Sequence, residues 1–453
     1  MKLWLAHFCA PVTTTLTLAY SFAAMAQAAP APATAVSIEN VRIFDGKSAK
    51  LSAPSNVLVL GNKIVQISVG RITAPTGATL TTIKGAGRTL MPGLIDNHVH
   101  VNMSASTLSE LMDPAVPLEA ITAKGSAEAG QMLLRGFTAV RDLGGPVFDL
   151  KRMIDQGKTP GPRIYPSGAI ISQTSGHGDS RHPAERSRRF GGTATRAELM
   201  NSSYIADGRD EVLTATRENL RGGASQIKIM AGGGAATMYD PLDVTQYTLD
   251  EMKAAVEAAE DWGTYVTVHA YTPRAVRRAI DAGVKCIEHG QMLDEATVKL
   301  LAKKHIWLSL QVLDPAPPQA DPVVRIKKQQ VVDGTDNAYR WAKKYKVKLA
   351  WGTDFLFNAA QNRNQNSDML KLKTWFTPAE ILKMVTHDNA QLLALSGPRS
   401  PYPGKLGVVE VGALADLLLV NGDPLANIDL LADPGKNFAV IMKDGQLFKN
   451  QTP

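Results

Sequence analysis

Six side chains of this sequence have the chemistry of metal ligands and recur in one kind of setting. His98 and His100 lie in PGLIDNHVH, Lys228 in QIKIMAGGG, His269 in VTVHAY, His289 in CIEHG and Asp354 in AWGTD, each closing a short apolar run that reads as a buried strand. His98 and His100 are two residues apart, so on a strand both imidazoles project from one face and a single metal ion can use both. A lone strand histidine is usually a satisfied core residue. An H-x-H with matching ligands on other strands is far more specific. His269 and His289 fit as neutral imidazole ligands to a second ion, and Asp354 adds an oxygen ligand and a nearby proton acceptor.

Lys228 is the most informative of the six. It lies between Ile227 and Ile229 in a run that should be buried, where an unpaired ammonium costs several kcal/mol even after relaxation. Burial favours the neutral amine. Such an amine can add carbon dioxide to become a carbamate, whose two oxygens and negative charge bridge two cations. The bland alternative is a buried ion pair with a carboxylate.

Groups scattered along a chain meet at one point when they sit at the C-terminal ends of parallel strands in a barrel. Eight apolar runs are spaced for that, at 93–98, 138–143, 163–171, 226–231, 265–270, 286–289, 306–311 and 349–354. Helical periodicity between them is clearest over 249–262 and 273–282, and Thr377-Pro378-Ala379-Glu380 opens a last long helix with a capping box. The fold class is therefore α/β, with a (β/α)8 TIM-like barrel over 93–404. On either side, 36–92 and 405–453 hold β-rich pieces with turn residues, such as SNVLVLGNKIVQIS and FAVIMKDGQLF. The first of these regions reads as a small antiparallel sheet, and the two chain ends are expected to pair into a small β-sandwich flanking the barrel. Two long excursions, 172–210 and 312–335, leave from the catalytic side, where substrate loops and lids belong. The second contains Pro315, Pro317, Pro318 and Pro322 and is expected to be irregular.

A chain of 453 residues has room for a barrel of about 250 residues and a second small domain. Its formal charge of +7 is spread in pairs such as Lys303 and Lys304, with no continuous basic stripe, so nucleic acid is not an expected partner. Residues 1–26 read as a signal peptide. Lys2 precedes a mostly apolar stretch, and Ala24-Met25-Ala26 offers a cleavage site, which implies a periplasmic or secreted protein. The stretch is short for a membrane span and is interrupted by Thr13, Thr14, Thr15 and Thr17, so no stable span is expected after cleavage. Residues 27–35 read as a flexible lead-in. Cys9 leaves with the signal, and Cys286 remains without an intrachain partner.

The motifs LMPGLIDNHVH, SGHGD, IKIMAGGG, HAYTPRAVRRAIDAGVKCIEHG, WGTD, THDNAQLLAL and GVVEVGALADLLLVNGDPL span essentially the whole mature chain. Together they resemble the metal-dependent amidohydrolase superfamily, in its imidazolonepropionase-like branch. More narrowly, the chain is similar to bacterial Xaa-Pro dipeptidases and to carboxypeptidase-like amidohydrolases that cleave ochratoxin A. The resemblance implies two divalent ions, zinc favoured: His98, His100 and Asp354 on one, His269 and His289 on the other, with N6-carboxylated Lys228 and a hydroxide between them. It also implies that His177 assists at the scissile carbonyl and that Tyr271 holds a substrate carboxylate. Homo-oligomers occur among such proteins, although this sequence shows no heptad or other interface pattern.

The implied chemistry is amide hydrolysis of a small molecule, with Asp354 as base and then acid. The expected substrate is a dipeptide or an N-acyl amino acid with a free carboxylate, ochratoxin A among them. Arg181, Arg186, Arg188 and Arg189 in the first excursion are further candidates for holding an anionic group. A lactonase or a cyclic-amide hydrolase is the alternative that shares these ligands. A mononuclear deaminase has no use for Lys228, and a binding protein has no chemical reason to keep the full set.

Overall fold

The computed structural model describes residues 34–73, 75–237 and 239–453, so the expected signal peptide and most of the lead-in lie outside the described residues. Thr34 and Ala35, counted with the lead-in on sequence, already belong to the first strand, Thr34–Ile43. No helix among the described residues is long and apolar enough to cross a membrane.

The apolar runs form parallel strands in two sheets. Leu94–Val99, Phe137–Asp142 and Arg163–Pro166 make a three-stranded sheet. The seven-stranded sheet runs Ser203–Ile205, Ile170–Ser172, Ile227–Met230, Val266–Ala270, Cys286–His289, Trp307–Leu310 and Lys348–Trp351. Its central strands are buried along their whole length, which is why they read as unbroken apolar runs rather than alternating ones. Helices follow most of the strands, among them Leu249–Asp261, whose N-cap Thr248 forms a capping box with Glu251.

Three expectations change here. The run 163–171 is split into Arg163–Pro166 and Ile170–Ser172 in different sheets, with the chain turning between them at Gly168, whose φ is 75°. Ser203–Ile205, within the first excursion, pairs parallel to Ile170–Ser172 and adds a strand. The second excursion is irregular only as far as Asp321. Pro322 then starts the 24-residue helix Pro322–Tyr345, with the Asp321 side chain accepting from Val323 N. Proline at the first helical position lacks only a hydrogen that would be unpaired anyway, so Pro322 initiates where the three upstream prolines interrupt.

Both chain ends enter one eight-stranded sheet, in which Leu417–Val420 pairs with Thr89–Pro92 and Phe438–Lys443 with Leu417–Val420. It is mixed rather than antiparallel throughout, since Thr34–Ile43 runs parallel to both Thr79–Lys84 and Thr89–Pro92. Ile38, Val57, Ile83, Val409, Leu419 and Val440 share one apolar core across the two ends. Arg163 ties this sheet to the parallel strands through Asp416 (2.8 Å) and Asp444 (2.7 Å).

The edges of the two parallel sheets are bridged by side chains and loop amides. Asn389 donates to Ile95 O (2.7 Å) and Trp351 O (2.9 Å) and accepts from Trp351 N (3.1 Å), joining the first strand to the last. A π-helical stretch, Met384–Asp388, interrupts the expected last long helix directly before it. At the other edge, Ser225 N donates to Pro166 O (2.7 Å) and Gln226 Nε2 to Tyr165 O (2.9 Å). Asn389→Ala strands buried backbone groups and is expected to lower stability by on the order of 3 kcal/mol, seen in urea denaturation as a lower midpoint at unchanged slope. Wild-type stability in that variant would show that the bridge is dispensable.

Candidate active site

The structure brings the sequence-predicted imidazoles and Asp354 together at one end of the parallel strands. His98 Nε2 lies 3.2 Å from Asp354 Oδ1 and His100 Nε2 lies 3.3 Å from the same oxygen. Among the described residues, these three form a group whose ligand atoms all lie within 4.8 Å of one another. His289 adjoins it, with ring centroids 5.1 Å from His98 and Nδ1 3.9 Å from Asp354 Oδ2. His269 stands 4.4 Å from the His289 ring, and His177 stacks on His269 at 4.3 Å. Tyr271 meets both, edge-on to His269 at 5.0 Å and stacked on His289 at 5.1 Å. His269 and His289 thus stand beside the compact trio rather than inside it.

Each imidazole commits one nitrogen to the protein. His100 Nδ1–H donates to Gly144 O (2.9 Å), His289 Nδ1–H to Gln311 Oε1 (2.7 Å) and His269 Nε2–H to Gly233 O (3.1 Å). Nδ1 of His98 faces Glu288 Oε2 at 3.0 Å. The other nitrogen of His98 and of His100 turns to Asp354; a second partner on the far ring nitrogen is how ligand histidines are oriented. Burial lowers the pKa of His98 to about 4 and of His289 to about 3, although Asp354 opposes it, and takes His269 well below the usual imidazole range. Burial alone would raise the Asp354 carboxyl, but His98, His289 and His100 hold it well below the usual carboxylate range.

Lys228 is 1% exposed, and burial lowers its pKa against the pull of Glu288 and Asp354. It makes no carboxylate ion pair among the described residues. Glu288, the carboxylate coupled to it most strongly, is taken by Arg141 (2.7 Å) and His98. Arg141 is itself fully buried and also donates to Asn97 O (2.8 Å) and Tyr265 Oη (3.2 Å).

Sequence reasoning passed over Glu288, Gln311, Arg141 and Asp240. Glu288 precedes a ligand in CIEHG, which is a usable signal: adjacent strand residues face opposite sides, so two polar neighbours at a strand end mark a backbone turn. His289 does have a positive φ of 79°. Asp240, which accepts from His177 Nδ1–H at 2.8 Å, lies in a loop with no pattern to reveal it. Three arginines of the first excursion pair with acids of their own loop and its neighbours, whereas Arg186 is exposed and makes no ion pair among the described residues. Arg181 pairs with Asp179 (2.6 Å), Arg188 with Glu198 (3.3 Å) and Arg189 with Glu211 (2.8 Å), around a cavity of about 230 Å³. Those charges are already matched.

Residues 89–447 match the amidohydrolase family. The chain belongs to that family. Amidohydrolases are hydrolases that act on C–N bonds, and this one is an enzyme of that kind. An ochratoxinase from Aspergillus niger is 31% identical over 379 residues, covering 80% of this chain and 75% of that protein. A prolidase solved in complex with N-methylphosphonate-L-proline is 32% identical with a TM-score of 0.83, covering 92% of this chain and 100% of the other. A Xaa-Pro dipeptidase solved with methionine in its active site is 28% identical with a TM-score of 0.76, again over 92% and 100%.

Amidohydrolases are typically metal-dependent, and the donor set of this one fits a cation. Two imidazole nitrogens and a carboxylate oxygen, the donor types that divalent ions take, converge with their ligand atoms all within 4.8 Å of one another. The ion pair beneath it is separately testable in this amidohydrolase. Glu288→Leu or Arg141→Met alone leaves a buried charge uncompensated and is expected to cost about 3–5 kcal/mol. The double variant should cost less than either single one in chemical denaturation, and additive losses would show that the two charges act independently.

Proposed function

We propose that this amidohydrolase is a binuclear metal-dependent amide hydrolase of carboxypeptidase or dipeptidase type. Its substrates would be dipeptides or N-acyl amino acids with a free carboxylate, ochratoxin A among them. The observation that carries the reading is the convergence of His98, His100 and Asp354 next to His269, His289 and a buried Lys228 that lacks an ion-pair partner among the described residues. The substrate class is supported by the ochratoxinase and prolidase relatives. In this reading the bridged sheets close as a (β/α)8 barrel over 93–404, and the chain ends 36–92 and 405–453 form its flanking β-sandwich.

His98, His100 and Asp354 would hold one ion, His269 and His289 the other, with Lys228 as a carbamate serving both. Bound divalent ions, zinc by resemblance, supply a nucleophilic water at neutral pH and polarise the amide carbonyl. Asp354 takes the proton of the attacking water and returns it to the leaving nitrogen as the C–N bond breaks, so one residue serves as base and then acid. His177 has Nδ1 committed to Asp240 and offers Nε2 to the carbonyl oxygen, as a donor when both ring nitrogens carry protons. Tyr271 contacts the His269 and His289 rings and packs with Ala235, Leu242 and Val331, which places its phenol between the histidines and an apolar wall. It would hold the substrate carboxylate.

Asp354→Asn is expected to lose most of kcat while keeping substantial metal, whereas Lys228→Ala should lose metal, read by elemental analysis beside kinetics. An active, metal-free Lys228→Ala protein would sink the binuclear reading. On a panel of dipeptides, N-acyl amino acids, cyclic amides and lactones, amidating the substrate carboxylate should lower kcat/KM by at least about tenfold, the worth of one charge-assisted hydrogen bond. Tyr271→Phe should narrow that gap. Equal turnover of acid and amide, or a strong preference for lactones, would replace this reading with the lactonase one.

A further inference from the structure

His177 arrives on a loop flanked by glycines, a setting that normally leaves an imidazole free to rotate. Here it is held on every side that the structure describes. Its ring lies flat on His269, 4.3 Å between centroids and 21° between planes. The opposite boundary is the backbone of Gly234, where an added Cβ would overlap Cε1, Nδ1 and Nε2 of the His177 ring. Its main-chain N–H donates to Gln246 Oε1 at 3.0 Å. In the ring plane, Nδ1 points at Asp240 Oδ2, 2.8 Å away.

Asp240 is itself a built position. It is 3% exposed, and Oδ2 also accepts from Gly234 N (2.7 Å), so one oxygen joins the glycine wall to the imidazole. Lys327 reaches in from the helix Pro322–Tyr345 and donates to Asp240 O (2.8 Å) and Thr237 O (2.6 Å), with Nζ 3.8 Å from Asp240 Oδ1. The carboxylate is thus fixed from two sides, by the 231–240 loop and by the second excursion. An ionised carboxylate only accepts, so it selects the form of His177 that carries a proton on Nδ1. The ring nitrogen left for a substrate is then Nε2.

Resting on the proposed role of His177 at the scissile carbonyl, we propose that Asp240 is a positioning residue for amide hydrolysis. It locks the His177 ring in one rotation, with Nδ1–H on the carboxylate in both the neutral ring and the imidazolium, against His269 and Gly234, and Lys327 holds the carboxylate from the second excursion. Without Asp240 the imidazole can turn about its Cβ–Cγ bond and exchange a nitrogen for a carbon at the carbonyl. That loss falls on the transition state, where charge develops on the oxygen, and spares ground-state binding through Tyr271. The expected signature is a fall in kcat at nearly constant KM.

The test is a double-variant cycle on the metal-loaded full-length enzyme with D240A, H177N and their combination, assayed on N-acyl-L-phenylalanine and Xaa-Pro dipeptides. Ala removes the one oxygen that both His177 Nδ1–H and Gly234 N–H use, and the H177N background separates the two contacts. D240A should lower kcat about 10- to 100-fold, the usual effect of losing the partner that orients an active-site histidine, with KM changed less than about threefold. In the H177N background D240A should then cost less than about twofold. Equal losses in both backgrounds would make Asp240 a structural residue and overturn the proposal. G234A displaces the ring with the carboxylate intact, and should show the same kcat loss and the same dependence on His177 even if D240A fails to fold. Selective 15N-histidine NMR gives a readout without turnover: the His177 ring signals, assigned by their absence in H177N, should move from the Nδ1-protonated pattern in D240A. Unchanged signals would also overturn the proposal. H177N with wild-type kcat defeats the role of His177 itself, whereas an impaired H177N beside a silent D240A defeats only the role given to Asp240.

Discussion

The carboxylate of Glu288 is fully buried, and a buried charge persists only when it is paired and hydrogen-bonded. Arg141 supplies the pairing from the second strand at 2.7 Å, and Thr267 adds its hydroxyl. One oxygen remains for the Nδ1 side of His98, at 3.0 Å. A structural ion pair therefore ends at a ring that the site needs. From there the same logic spreads sideways: Gln311 lies between His98 and His289, contacting Nδ1 of each at 3.3 and 2.7 Å. Backbone carbonyls do the corresponding work for His100 and His269. Orientation of the imidazoles is in this way a property of the folded chain and not of whatever ion they bind.

Strand geometry alone does not allow this arrangement. Glu288 and His289 are neighbours on one strand, and a regular pleat would send one of them outward. The left-handed backbone at His289 (φ 79°) returns its ring to the side of Glu288, and Asp354 adopts φ 55° at the end of the last strand. Such conformations cost of order 1–3 kcal/mol each and persist where the surroundings over-determine them. For Asp354 the surroundings are identifiable. Its N–H donates to His98 O at 2.8 Å, and Gly352 lets the last strand approach the first so closely that a Cβ there would overlap the His98 backbone. Strain at the ligand and contact between first and last strands are thus two aspects of one packing problem.

The strands, and the clustering of imidazoles and Asp354 at their ends, were legible because both follow from local rules. Fully buried parallel strands give unbroken apolar runs, and a polar ligand stands out at the end of each. What escaped were features decided by tertiary contact. Pro322 reads as a helix breaker until Asp321 is seen to cap a helix that starts there. Arg181, Arg188 and Arg189 read as free charge until Asp179, Glu198 and Glu211 are found against them, two of these more than eight residues away in sequence. The parallel pairing of Thr34–Ile43 with Thr79–Lys84 joins segments whose alternation is equally compatible with an antiparallel sheet. Asp240 carries no local mark, since its partners come from residues 177, 234 and 327.

This division between strand ends and excursions bears on how one scaffold serves different substrates. The strand ends hold the ligand set, and their rings are fixed by buried partners that tolerate little change. The wall beside them is assembled differently. Tyr271 packs with Ala235 and Leu242 from the loop after Ile227–Met230 and with Val331 from the helix Pro322–Tyr345, with Met292 and Leu313 at its edge. Those residues are apolar and come from segments that do not contribute to the His98, His100 and Asp354 trio. Substitutions among them change volume and shape where the substrate side chain would lie, at the modest cost of repacking, while the ligand geometry is left alone. Lys327 is the exception. It sits one helical turn before Val331 yet anchors the loop that carries Asp240, so the same helix that shapes the wall also reaches the imidazole over His269. On the proposed roles of His177 and Tyr271, selectivity and reactivity would be separable along most of the second excursion and coupled at that one lysine.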